Sequence, residues 1–425
     1  MNRSFVIKGN ICYSKNQKEL NIVDGGYLVC VDGISKGVFE RLPEEYRELP
    51  LEDCGDKLII PGLVDLHVHA PQFTYRGLGM DMELLDWLET NTFPEEARFA
   101  DLDYADRAYE LFVQDVLKGP NTRACIFATV HVPATELLMD KLEAAGLNTY
   151  VGKINMDRNC PDYLREEDAA ASAADTRRWI EETKGKYDHT KPMITPRFVP
   201  SCTDELMNML GEIQKVYRIP VQSHLSENRK EIAWVQELCP KSRFYGDAYD
   251  QAGLFGGENC PTLMAHCVYS SDEEIQRMKE KGVYVVHCPQ SNTNVSSGMA
   301  PVRRYLKEGL HVGLGSDVAG GSETSIFKAM VDAIQVSKLR ACCVDSSLEQ
   351  LTAEEAFYLG TLGGGSFFGN VGSFEAGYEF DAVILDDANI PTTLDLNTKQ
   401  RLERLIYFSD DRNVVGKYVN GRKLF

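Results

Sequence analysis

The sequence has no run of about 18 apolar residues that could cross a membrane, and its opening stretch, Met1 to Gly9, holds nothing apolar enough for a leader. Clustered positive charge is missing too. There are 45 Lys and Arg against 64 Asp and Glu, a formal net charge of -19, which argues against a surface that tracks phosphates and so against a nucleic-acid partner. The 12 cysteines include no C-x-x-C pair and, apart from adjacent Cys342 and Cys343, lie scattered. That pattern excludes a disulfide framework and leads us to expect reduced thiols in a cytoplasmic protein. Internal repeats and low-complexity tracts are absent. Gly320-Gly321 follows an apolar run but lacks the Lys-Ser/Thr of a phosphate loop, so it reads as a turn.

What is present fits a large globular chain: 425 residues, 43% of them hydrophobic, enough for one big domain and a small one. Short strand-like runs between turns mark both ends, at Ser4 to Ile7, Glu19 to Val23, Tyr27 to Val31 and Ile34 to Glu40, then at Phe380 to Leu385, Arg404 to Phe408 and Val414 to Val419. Residues 1–57 and 370–425 are therefore expected to form one small composite β-sandwich domain, and 58–369 the rest. In that middle part apolar runs alternate with amphipathic ones. Strands are expected at Leu58 to Asp65, Arg123 to Thr129, Asn148 to Asn155, Pro192 to Phe198, Pro220 to His224, Thr262 to Ala265, Val283 to His287 and His311 to Gly315. Eight such runs with helical crossovers between them specify an α/β fold, a (β/α)8 TIM-like barrel. The first crossover is long. It holds one helical stretch at Asp81 to Glu89, with Leu84, Leu85, Trp87 and Leu88 on a face, and another at Asp103 to Lys118, with Tyr104, Ala108, Leu111, Phe112 and Val116. A lid or an oligomer contact is expected there.

Barrel strands bring their carboxyl ends to one rim, and the sequence puts metal-ligand chemistry at those ends. His67 and His69 stand two apart, which in extended chain points both imidazoles to one side. An H-x-H pair alone is weak evidence. It gains weight because His224 closes the fifth run, His266 the sixth, and Asp317 follows the eighth, while the chain has only 8 histidines in all. His67, His69, His224 and Asp317 are the expected ligands of one divalent cation, Zn²⁺ with Fe²⁺ as the alternative. A second ion would want a bridging Lys after the fourth run, where Arg197 stands. The cation would supply hydroxide at neutral pH, Glu227 would carry the proton, and Asp317 and His266 would assist as base and as support for the tetrahedral centre. His131 is a candidate pocket residue; His189 and His311 read as loop or strand-start residues, and His287 as structural.

Pro61 to His69, Ser223 to Glu227, Ala265-His266-Cys267, His287 to Asn292 and Gly315-Ser316-Asp317 together resemble the aminohydrolase branch of the amidohydrolase superfamily, over nearly the whole chain. Narrower likenesses lie in His69 to Gln72, Trp87 to Pro94, Phe127 to His131, Thr195 to Phe198, Gly313 to Gly321 and Ser409 to Asn413. These imply guanine as substrate, deaminated to xanthine and ammonia in purine catabolism, and a homodimer. They also imply that Gln72, Arg197 and Phe198 hold the ring beside His69, His224, Glu227 and Asp317. A related aminohydrolase acting on 8-oxoguanine, a pterin or a triazine is the alternative; a non-catalytic scaffold is disfavoured by the intact ligand set. Gln290 stands where the family pattern has Asn.

Overall fold

Gly62 is the hinge between the two layers of the molecule. A Cβ there would meet Thr122 Oγ1 at 2.1 Å, so the chain can pass this closely only as glycine. Before it, Leu51–Pro61 is a strand of an outer sheet; after it, Leu63–His69 opens the barrel. The single strand expected at Leu58 to Asp65 is therefore two strands of different sheets, because the continuous apolar run conceals the break. The structure, a computed structural model, describes residues 3–425; Met1 and Asn2, the start of the stretch read for a leader, lie outside the described residues.

The barrel is built of parallel neighbours. Leu63–His69, Asn121–Phe127, Asn148–Gly152 and Thr190–Pro192 pair in that order, and Val221–Leu225, Thr262–His266, Tyr284–His287 and His311–Leu314 in theirs. A parallel pair, Ile154–Asn155 with Thr195–Pro196, and a bridge from Ile194 to Val221 join the halves. Closure comes at the rim, where Asp317 N–H donates to His67 O at 2.8 Å and His69 N–H to Val318 O at 3.1 Å. Crossover helices such as Val132–Ala145, Asp204–Tyr217 and Ile326–Cys343 turn buried faces to the strands.

The chain ends share one seven-stranded sheet, ordered Arg422–Lys423, Val414–Val419, Ala382–Leu385, Leu51–Pro61, Phe5–Ser14, Leu20–Val31, Ile34–Phe39. Its two faces feed different cores, as strand alternation requires. Leu58, Ile60, Val383 and Leu385 join the core shared with the barrel, whereas Ile59, Ile384, Ile11 and Tyr418 join an outer one with Phe374 and Phe380. Buried polar groups lock the sheet to the barrel. Arg123, 4% exposed, donates to Asp381 and Glu379, and Lys417 Nζ donates to the carbonyls of Val116, Leu117 and Asn121 at 2.8–2.9 Å.

Several expectations are corrected here. Arg404 to Phe408 is not a strand; it lies in the helix Thr398–Phe408. Glu19 to Val23 and Tyr27 to Val31 are one strand, Leu20–Val31, which runs through Gly25-Gly26 opposite an irregularity between Gly9 and Ile11. In the first crossover, Asp81 to Glu89 shortens to a helix at Leu84–Trp87, followed by a wide turn at Leu88–Thr92 and a further helix at Phe93–Ala97. Leu111, expected on the apolar face of the second helix (Leu102–Lys118), is 58% exposed.

Candidate metal and substrate site

Four imidazoles and two carboxylates converge at the carboxyl rim of the barrel, and local backbone geometry aims them. His67 and His69 lie within the first strand on one face; His224 is in the fifth strand; His266 ends the sixth. His266 and Asp317 have positive φ, +75° and +46°, so the chain turns sharply as each leaves its strand and directs the side chain inward. Asp65 ties two of these elements together. Its carboxylate accepts from His67 N–H at 3.1 Å and from Ser316 N–H at 3.0 Å, and from the Ser316 hydroxyl.

His69 Nε2 is 3.2 Å from His67 Nε2 and 3.3 Å from His224 Nε2, and Asp317 Oδ1 is 3.1 Å from His67 Nε2 and 3.5 Å from His69 Nε2. The proton of His224 is accounted for: its Nδ1–H donates to Arg197 O at 2.6 Å, leaving the Nε2 lone pair facing the cluster. Burial holds His69 and His224 well below the usual imidazole range, and the neighbouring rings push the same way. Burial alone would raise Asp317, but His67 and its neighbours hold it well below the usual carboxylate range. Neutral nitrogens and an ionised oxygen turned on one another fit a cation, and catalytic zinc sites use such donors. Cys288 lies near His67, His266 and Asp317. Burial pushes its thiol well above the usual range.

Glu227, 3% exposed, stands beside this cluster. Its Oε2 is 3.4 Å from His266 Nε2 and its Oε1 accepts from the Ser297 hydroxyl at 2.8 Å. Burial pushes its carboxyl up to about 7 against the opposing pull of His266. Burial would lower His266, but Glu227 and Asp317 raise it; its Nδ1 faces Asn292 Oδ1 at 2.8 Å. A carboxyl poised near neutrality beside a cation site can move a proton in either direction.

The cavity over the cluster is walled by Leu84, Trp87 and Leu88 of the first crossover and by Phe198, with Gln72 and Arg197 on its lining. Gln72 Nε2 donates to Glu96 Oε1 at 2.8 Å, and its Oε1 accepts from Ala319 N–H at 3.2 Å. Arg197 donates to both oxygens of the same Glu96 and lies over the Phe93 ring, 5.2 Å from its centroid. Neither polar residue is a free surface group. His131 is not in this cavity; it immediately precedes the helix Val132–Ala145 and lines a separate groove with Leu164 and Glu166. His287 is buried and His311 exposed and stacked on Tyr284. Gln290 Oε1 accepts from Ser322 N–H at 2.7 Å and so pins the loop after the eighth strand.

Sequence reasoning missed Glu96, Asp65, Ser297 and Asn292. Asp65 reads in the sequence only as the end of an apolar run. Glu96 carried a faint signal, two adjacent glutamates directly after Phe93-Pro94 in a chain whose Arg197 needed a partner.

Known proteins match this arrangement over most of its length. The family model described as "Amidohydrolase family" matches residues 58–424. A guanine deaminase of Dictyostelium discoideum is 39% identical over 88% of this chain and 83% of its own, and that of Mus musculus 37% over 95% and 91%. A crystal structure of guanine deaminase from C. acetobutylicum with bound guanine in the active site superposes with a TM-score of 0.96 at 48% identity, covering 99% of this chain and 100% of that one. The chain belongs to the amidohydrolase family. Within that family it stands among the guanine deaminases.

Proposed function

We propose that the chain deaminates guanine, adding water and releasing the exocyclic amine to give xanthine and ammonia. The likeness to a guanine-bound guanine deaminase across 99% of the chain carries this reading, and a cavity of matching chemistry supports it. His67, His69, His224 and Asp317 would hold one divalent cation per chain, Zn²⁺ with Fe²⁺ as the alternative, since three imidazoles and a carboxylate suit both. When bound, that cation supplies Lewis acidity and makes water a nucleophile at neutral pH.

The chain's own residues do the rest. Gln72 and Arg197 hold the polar edge of the purine, and Phe198 and Trp87 cover its faces, which fixes carbon 2 against the rim. Glu227 protonates the ring nitrogen next to carbon 2 and relays a proton to the departing amine; the Ser297 hydroxyl holds its other oxygen in place. His266, fixed through Asn292, presents its Nε2 to the centre where charge develops. Asp317 accepts a proton from the attacking water.

A homodimer rests on family resemblance alone and is checked by light scattering. A cytoplasmic location is supported by 12 unpaired cysteines; among the described residues no helix is long and apolar enough to cross a membrane. The primary test is xanthine and ammonia release from guanine, with adenine, 8-oxoguanine, a pterin and a triazine as controls and bound metal quantified. An inert guanine reaction beside turnover of another ring would keep the chemistry and overturn the substrate.

A further inference from the structure

Gln72 and Arg197 are held by a single carboxylate, Glu96, that is not among the residues lining the cavity. It is 1% exposed and sits in the helix Phe93–Ala97, inside the long first crossover. Its oxygens take one N–H from Gln72 and two from Arg197. An amide can be turned either way round, and here both ends are dictated. A carboxylate only accepts, so the amide nitrogen of Gln72 must face Glu96; a backbone N–H only donates, so the amide oxygen must face Ala319. Reversal would set oxygen against carboxylate and nitrogen against N–H. What remains free on Gln72 is one N–H and one lone pair, in fixed places.

Arg197 is treated similarly. Its guanidinium, 3% exposed, is gripped on one side by Glu96 while Phe93 of the same helix lies under it. A buried, unpaired guanidinium next to a cation site would be expelled or repelled; the carboxylate neutralises it in place. The pair then offers the cavity a fixed row of donors beside one acceptor, which suits a ring carbonyl flanked by polar ring nitrogens.

We propose that Glu96 is the positioning residue for specificity: through Gln72 and Arg197 it sets recognition of the oxo edge of the purine, and so makes the first crossover part of the substrate filter. This deepens the guanine reading and rests on it. Glu96→Gln keeps the shape but replaces one acceptor by a donor among groups that already donate. Kinetics on guanine are measured alongside competitive inhibition by hypoxanthine, which has the oxo edge, and by purine, which lacks it. The KM for guanine and the inhibition constant of hypoxanthine should rise ~10–100-fold, as loss of a charge-assisted hydrogen bond predicts. The purine constant should move less than about threefold, and bound metal should stay unchanged. A merely structural role would weaken both inhibitors alike. Should Glu96→Gln not fold, Glu96→Asp, which withdraws the carboxylate by one carbon, is read in the same way. Parallel shifts for the two inhibitors, no shift for either, or failure of both variants to fold would overturn the proposal. Guanine left untouched by the unmodified chain would instead overturn the function reading.

Discussion

Asp65 shows how much of a site can rest on a residue that need not touch substrate. By accepting from His67 N–H and Ser316 N–H it fixes the spacing between the first strand and the loop that carries Asp317. Asp65→Ala, which removes both acceptors, should lower metal affinity ~10–100-fold, measured by competition with a chelating dye, since ligand-supporting groups contribute that much elsewhere. Glu227→Gln should act in the opposite sense: metal content close to normal and kcat reduced by ~10²–10⁴-fold. Substantial turnover in that variant would remove Glu227 from the proton path. The histidines could be read from sequence because the residue is scarce and strand ends are predictable. Asp65 and Glu96 could not, because the chain has 64 acidic residues and only burial separates these two from the solvated majority.

Elements were most legible where their period was long and their ends were marked. The helix Leu102–Lys118 begins where Asp101 accepts from two backbone N–H groups and stops before Gly119-Pro120. The segment Arg404 to Phe408 misled because a short apolar run reads as strand or helix. Its helical state is set upstream, where Asn397 and Gln400 form a capping box, and Leu402, Leu405 and Ile406 then follow the helical spacing inward. The part of the first crossover that precedes the helix Leu102–Lys118, residues 84–97, lacks regular periodicity because it walls a cavity instead of covering a sheet. Leu84 N–H donates to Val295 O at 3.1 Å and the Trp87 indole to Leu78 O at 3.1 Å, so the wall is bonded down on both sides. Trp87→Ala should raise the KM for guanine ~10-fold, with kcat changed much less, as expected for lost ring contact. A change in kcat alone would point to the crossover's motion.

At the scale of the molecule, the outer sheet and the barrel are joined through buried charge. Lys417 donates to two carbonyls at the carboxyl end of the helix Leu102–Lys118, those of Val116 and Leu117, and to the carbonyl of Asn121 in the strand that follows. Lys417→Met should destabilise the chain by about 2–4 kcal/mol in urea unfolding, the cost of stranding those carbonyls. Burial also lowers the Lys417 ammonium to about 7, with Asp381 opposing. The unfolded chain then binds a proton that the folded chain has released between pH 7 and about 10, so this lysine makes stability rise with pH across that window. The Met variant should lack the rise; an identical pH slope in both would mean that the ammonium keeps its charge on the carbonyls. Chelation should abolish turnover and lower the melting temperature, with Zn²⁺ restoring both, because a ligand at a thousandfold excess over its Kd adds about 4 kcal/mol. The bonds that close the barrel are donated by the backbones of Asp317 and His69 and accepted by His67 and Val318. A chain still being synthesised would thus carry His67 and His69 without the geometry of the closed ring until the segment after the eighth strand had arrived. Closure of the ring would report that synthesis has passed residue 318, and a prematurely ended chain would carry these histidines without the carboxylate of Asp317.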